Sequence, residues 1–149
     1  MNGLLDPRGP RFAATVTSVV LVLVLVFSAG WLALAQAVVF GISAAWPRYS
    51  PYGLVYRLLL APRLGRPAEL EPVAPFRFAQ TVGLVFILVA AAGYLFGVPV
   101  LGLVFTALAL LAAFLNAAFG LCLGCEVYLA WRRLSHRPMA SRVPAPERS

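Results

Sequence analysis

Phe12 to Trp46 reads FAATVTSVVLVLVLVFSAGWLALAQAVVFGISAAW, without one acidic or basic side chain. A second such stretch runs from Phe78 to Cys125. One membrane crossing takes about 20 residues at about 1.5 Å each. Stretches of about 35 and about 48 residues therefore hold two crossings apiece. Each carries a break near its middle, Ser28-Ala29-Gly30 in the first and Phe96-Gly97-Val98-Pro99 in the second, and Gly and Pro are the strongest local punctuators. The expected fold is all-α: a polytopic membrane protein with four transmembrane helices in two hairpins. The spans fall at about 12–29, 31–46, 78–96 and 100–125, within a single domain over residues 1–135.

Composition excludes the soluble alternative. The 149 residues are 62% hydrophobic and 11% charged, whereas a soluble domain carries about 25% charged residues. So short a chain cannot enclose that many apolar side chains in its own interior. Two cysteines and one histidine exclude a disulfide-stapled scaffold and supply little for a metal centre, so no cofactor or metal is expected.

The ionisable groups fall into three blocks, each net positive. Arg8 and Arg11 face Asp6; Arg48, Arg57, Arg63, Arg66 and Arg77 face Glu69 and Glu71; Arg132, Arg133, Arg137, Arg142 and Arg148 face Glu126 and Glu147. Basic residues in short loops stay cytoplasmic. Four crossings put all three blocks on that side, with both termini, whereas three crossings would export one of them. The expected location is the bacterial inner membrane. The apolar run from Phe12 is too long for a cleaved signal peptide. Topology accounts for the basic charge, and nothing points to nucleic acid.

The two hairpins begin alike. Asp6-Pro7-Arg8-Gly9-Pro10-Arg11-Phe12-Ala13-Ala14-Thr15-Val16 resembles Glu71-Pro72-Val73-Ala74-Pro75-Phe76-Arg77-Phe78-Ala79-Gln80-Thr81-Val82. Two similarly capped helices account for this, since Pro suits a helix's first turn and an acid its positive end. The other explanation is a duplication with a site between the halves, as in transporters, where so small a chain would have to oligomerise. Between the hairpins, Tyr52 to Ala61 is too short to span and is flanked by Pro51 and Pro62, as expected of a helix lying at the cytoplasmic interface. Residues 136–149 are Pro, Arg and Ser with little to bury, as expected of a disordered tail.

Chemistry concentrates near the end of the last span, in Cys122-Leu123-Gly124-Cys125-Glu126. A helix starting near Val100 reaches Cys122 about 33 Å on, at the cytoplasmic interface. There thiols are kept reduced, so a Cys-x-x-Cys reads as a redox or sulfur-transfer pair, a metal site or plain packing rather than a permanent staple. On one continuous helix, Leu115, Ala118, Cys122, Cys125, Glu126, Leu129 and Arg133 share an arc of about 100°. The C-terminal end of a helix and Glu126 disfavour a thiolate, while Arg132 and Arg133, reaching back toward Cys125, favour one.

The candidate site is thus Cys122 and Cys125 with Glu126, Arg132 and Arg133 as modulators. Cys125, nearer the water, is expected to attack and Cys122 to resolve. Glu126 has a second reading as an ion pair with Arg77, Arg11 or Arg133. Asn116 reads as an interhelical hydrogen-bond donor and Gly120-x-x-x-Gly124 as a close-packing face within the chain or in a homo-oligomer.

The stretch Phe114-Leu-Asn-Ala-Ala-Phe-Gly120, the following Cys122-Leu-Gly-Cys-Glu-Val-Tyr128 and the paired Arg-Phe-Ala helix starts resemble a bacterial family of small integral membrane proteins, domain of unknown function 4395. The likeness runs from about Asp6 to Arg133. It implies a helical membrane protein with a cysteine pair near the end of its last helix, and a soluble thioredoxin-like or rhodanese-type protein as relay partner. The functional expectation is a thiol-disulfide or persulfide relay. A non-catalytic subunit or scaffold of a membrane complex and a small oligomeric permease are the rivals.

Overall fold

The computed structural model describes residues 4–5, 8–64, 69–135 and 143–144. Four long helices carry the fold: α1 (Arg8–Phe27), α2 (Gly30–Ala45), α5 (Val73–Leu95) and α6 (Pro99–Phe119). Three are long and apolar enough to cross a membrane, with mean hydropathies of 2.1, 1.9 and 2.3 for α1, α5 and α6. The fourth, α2, is equally apolar but has 16 residues. Both expected breaks are tight turns, with Ser28 at φ 46° and Gly97 at φ 84°. Pro99 opens α6 at a position where its missing N–H costs nothing.

Between the hairpins, the expected surface helix is a 3-10 turn (Pro47–Tyr49), then, after the non-helical Ser50, a continuous run of α3 (Pro51–Val55), a wider π-turn (Tyr56–Leu60) and α4 (Ala61–Leu64). Extended structure is confined, among the described residues, to short antiparallel pairings. β1 (Leu4–Leu5) and β3 (Val143–Pro144) each lie against β2 (Glu69–Pro72). Apart from Val143–Pro144, the tail over residues 136–149 lies outside the described residues.

The last span ends earlier than the sequence suggests. α6 stops at Phe119, not near Cys125, and a separate helix α7 (Leu123–Leu134) follows. The cause is Gly120, whose φ of 68° closes α6 with a left-handed residue. Its N–H reaches Asn116 O at 3.0 Å and that of Leu121 reaches Leu115 O at 3.3 Å, satisfying carbonyls that a continued helix would have used. α7 differs in kind from the spans. Its first turn holds Glu126 and its last holds Arg132 and Arg133.

The two hairpins pack as a pseudo-symmetric pair, α1 against α6 and α5 against α2. Arg11 Nη2 donates to Ala117 O at the end of α6 at 3.4 Å, and Arg77 Nε donates to Ala44 O at the end of α2 at 2.8 Å. One turn on, Thr15 and Thr81 each donate their hydroxyl back to the carbonyl of that arginine. The repeated lead-in is thus a repeated contact, each arginine closing the helix end of the other hairpin. The core lies where Leu21, Val24, Ala33, Ala37, Ile87, Ala90 and Ala91 meet, small residues letting α2 and α5 approach closely.

Candidate functional site

The break after Phe119 relocates the cysteines. Cys122 is the N-cap of α7 and Cys125 stands in its first turn, so the pair lies at the start of a helix rather than at the end of one. The shared arc from Leu115 to Arg133 does not exist, because its two halves belong to different helices. The cysteines are bonded as a disulfide with their Cα atoms 5.2 Å apart, a separation that suits such a bond. Cys122 Sγ accepts the backbone N–H of Cys125 at 3.2 Å, and Cys122 O accepts that of Glu126 at 3.0 Å.

What holds this corner in place is Gly124. A Cβ there would stand 2.6 Å from Ala79 Cβ and 2.7 Å from Ala79 Cα, so α7 rests directly on the backbone of α5. The two glycines do not share one helix face: Gly120 turns the chain, and Gly124 alone makes the close approach within the chain, seating α7 on α5. Phe78 and Tyr128 add a ring contact at 5.7 Å.

The other candidate residues are placed apart. Glu126 is exposed in the first turn of α7. No ion pair joins it to Arg11, Arg77 or Arg133 among the described residues; Arg11 and Arg77 are taken up by helix-end carbonyls instead. Arg132 and Arg133 sit in the last turn of α7, about 10 Å along the helix from Cys125. The Arg132 guanidinium lies over the Tyr128 ring, 5.6 Å from its centroid. Among the described residues no three His, Cys, Asp or Glu side chains group as metal ligands, and His136 lies outside those residues.

Beside the disulfide, between the hairpins, opens a cavity of about 910 Å³. Its wall is mainly apolar, with Phe40, Val82 and Phe86, and both cysteines border it. Polar groups enter at a few points, Thr17, Tyr52, Gln80 and Asn116 among them, and the charged Arg8, Arg11 and Glu126 also border it. Gln36 is buried behind the wall. Its amide donates to Thr17 Oγ1 at 3.5 Å and accepts the Tyr52 hydroxyl at 2.7 Å. Burial pushes the Tyr52 phenol above its ordinary value. No hydrogen bond within the described residues takes up the side-chain amides of Gln80 or Asn116, which are half-buried at the cavity.

Thr17, Gln36, Tyr52 and Gln80 are not among the site residues expected from the sequence. A signal was present, since Gln36 is the one amide in the first uncharged stretch and Gln80 and Asn116 are the two in the second. Lone amides inside apolar helices seek partners across a helix interface or within a cavity.

Residues 5–133 match the family model described as Domain of unknown function (DUF4395). The chain belongs to this family. No curated protein and no solved structure matches it. Over nearly all of the matched residues, this chain is a helical bundle in which Cys122 caps α7.

Proposed function

We propose that this DUF4395 protein crosses the bacterial inner membrane four times and exchanges disulfides with a soluble dithiol protein of the thioredoxin type through Cys122 and Cys125. The observation that carries the reading is the capping geometry: Cys122 Sγ already accepts the Cys125 N–H at the start of α7. Negative charge on a sulfur is stabilised there by the helix's positive end and that N–H. This favours Cys122, rather than Cys125, as the attacking and leaving thiolate.

In the exchange, a partner thiolate attacks Cys122 Sγ. The bond to Cys125 breaks, and its electron pair leaves on Cys125, which takes a proton. The partner's second thiolate then attacks its own sulfur of the mixed disulfide and releases Cys122 as a thiolate held at the N-cap. Two electrons pass to the pair and the partner leaves oxidised; the reverse sequence oxidises this pair instead.

Support for four crossings comes from the ends of the bundle. Exposed Phe27, Trp31 and Phe96 ring the turn end, and exposed Trp46, Tyr49 and Trp131 ring the other, as aromatic side chains do at two membrane interfaces. The second helix, about 24 Å long, crosses if the bilayer thins slightly around it. The arginines at one end favour a cytoplasmic position for the cysteines and both termini.

The test is capture of the mixed disulfide. The reduced Cys125→Ser chain, which keeps the Cys122 thiolate, should attack the intact disulfide of an oxidised thioredoxin-type protein, displace one of its thiolates and accumulate as the covalent adduct. Cys122→Ser should not. Equal capture by both variants overturns the assigned roles, and capture by neither overturns the exchange.

A further inference from the structure

A half-buried dithiol at the wall of a cavity in a membrane protein has two routes for its electrons, water on one side and lipid on the other. Exchange with a soluble protein uses the first. The second is open as well, because both cysteines border a cavity of about 910 Å³ between the two hairpins. That size is at the upper end of the range for small-molecule sites, which are apolar with a few placed polar groups. Here the apolar part includes Phe40, Val82 and Phe86, and the uncommitted donors are the amides of Gln80 and Asn116. Two amide N–H groups with no protein acceptor among the described residues suit a neutral ligand that presents carbonyl oxygens. An apolar wall suits a ligand that arrives from lipid.

We propose that this cavity binds a lipid-soluble quinone, which accepts two electrons from the reduced Cys122–Cys125 pair. The proposal rests on the exchange reading for the source of those electrons and adds their destination. The Cys122 thiolate and the Cys125 thiol lose two electrons between them and form the Cys122–Cys125 bond. The electrons enter the quinone ring. Its two oxygens take two protons, one from Cys125 and one from water, giving the quinol. Gln80 and Asn116 hold the carbonyl oxygens, and the aromatic wall takes the ring.

The experiment uses the full chain in lipid nanodiscs, reduced, freed of reductant and kept anaerobic. A short-chain ubiquinone is added, and its absorbance and the maleimide-reactive thiols are followed together. One quinone should be consumed for each pair of thiols lost, and the chain lacking both cysteines should consume none. Asn116→Leu and Gln80→Leu should each raise the quinone KM about tenfold with a smaller change in kcat, the effect of losing one hydrogen bond to a bound ligand. Ala112→Phe, which fills the cavity, should raise it further. The proposal is overturned if thiol loss is no faster than for a small dithiol in the same nanodiscs, or if none of the three variants alters the KM. The unaltered chain is also assayed for exchange with a thioredoxin-type protein. Exchange without quinone reduction removes this inference alone; quinone reduction without exchange removes the soluble partner and leaves the cavity's role standing.

Discussion

Ser50-Pro51-Tyr52-Gly53-Leu54-Val55-Tyr56 follows the first hairpin, and Cys122-Leu123-Gly124-Cys125-Glu126-Val127-Tyr128 follows the second. Both begin on the N-cap of a short helix. Ser50 O accepts the Leu54 N–H at 2.8 Å, as Cys122 O accepts that of Glu126 at 3.0 Å. In each, the closing tyrosine packs on the phenylalanine that follows the hairpin's repeated arginine, Phe12 with Tyr56 and Phe78 with Tyr128. They part at the cap atom. The Ser50 hydroxyl turns to Ser43, 2.9 Å away and buried, whereas Cys122 Sγ turns to the Cys125 N–H. One cap ties its segment to the neighbouring helix and is sealed; the other keeps its reactive atom at a cavity. The same backbone device serves structure in one half and, in the proposed exchange, chemistry in the other.

The largest effect should come from breaking that contrast. Cys122→Ala should reduce exchange with a thioredoxin-type protein to the rate of a chain without cysteines, while Ser50→Ala should leave exchange intact and lower the melting temperature in detergent by a few degrees, the scale of one lost buried hydrogen bond. A sharper version installs the pair in the first half. Ser50→Cys with Gly53→Cys, in a chain lacking Cys122 and Cys125, should form an internal disulfide yet resist exchange, because Ser50 is 4% exposed. Rapid exchange by that variant would mean that the local backbone alone confers reactivity and that the second half is not special.

The two segments also differ in how tightly they are seated. A Cβ on Gly124 would overlap Ala79 backbone at 2.7 Å, while one on Gly53 would meet only Ser50 Cβ at 3.4 Å. Gly124→Val should cost about 3 kcal/mol, at the upper end for an overpacked site. It should also displace the cysteines, so that maleimide labelling of the reduced pair changes. Gly53→Ala should change neither stability nor labelling detectably. If the two substitutions cost the same, α7 is not held by its contact with α5.

Much of this was readable beforehand. The uncharged stretches and their Gly and Pro breaks locate the long helices to within a few residues, because lipid solvation demands continuous apolar helix and leaves few alternatives. The Arg-Phe-Ala repeat marks both hairpin starts. What escaped is the turn at Gly120. Seen as sequence, Phe119-Gly120-Leu121-Cys122 continues an apolar run, and a single glycine is tolerated inside a membrane helix. The break goes with the close seat of Gly124 on Ala79, and that contact joins residues far apart in the chain. The break matters, since it reverses the end of the helix on which the thiols lie. The cavity was hidden for a related reason: Gln80 and Asn116 stand on the two arms of the second hairpin, and the wall that faces them, with Thr17, Phe40 and Tyr52, comes from the first.

A smaller effect tests the symmetry of that docking. Arg77 donates to Ala44 O at 2.8 Å and Arg11 to Ala117 O at 3.4 Å, so the equivalent contacts are unequal in strength. Both side chains are exposed, and water offsets part of each bond. Arg77→Met should cost about 1 kcal/mol and Arg11→Met less, read as melting temperatures in detergent. The reverse order would show that the lead-in arginines do not act through the helix ends they touch.

The smallest effect concerns Tyr52, which borders the cavity between the hairpins. Its hydroxyl donates to Gln36 Oε1 at 2.7 Å, and burial holds the phenol above its ordinary value near 10. Folding therefore favours the neutral form. The corresponding stability is present in full below about pH 10, where folded and unfolded chains both keep the proton, and is lost as pH rises toward the folded value, because the unfolded chain releases its proton first. Tyr52→Phe removes both the bond and this titration. Its melting temperature should lie below that of the unaltered chain at neutral pH by the scale of about 1 kcal/mol. The gap should close above pH 10, the remaining tyrosines titrating in both chains and cancelling in the difference. A gap that stays constant to the highest accessible pH would mean that Tyr52 is no more buried in the membrane-bound protein than a surface phenol, and the polar cluster behind the cavity wall would lose its anchor.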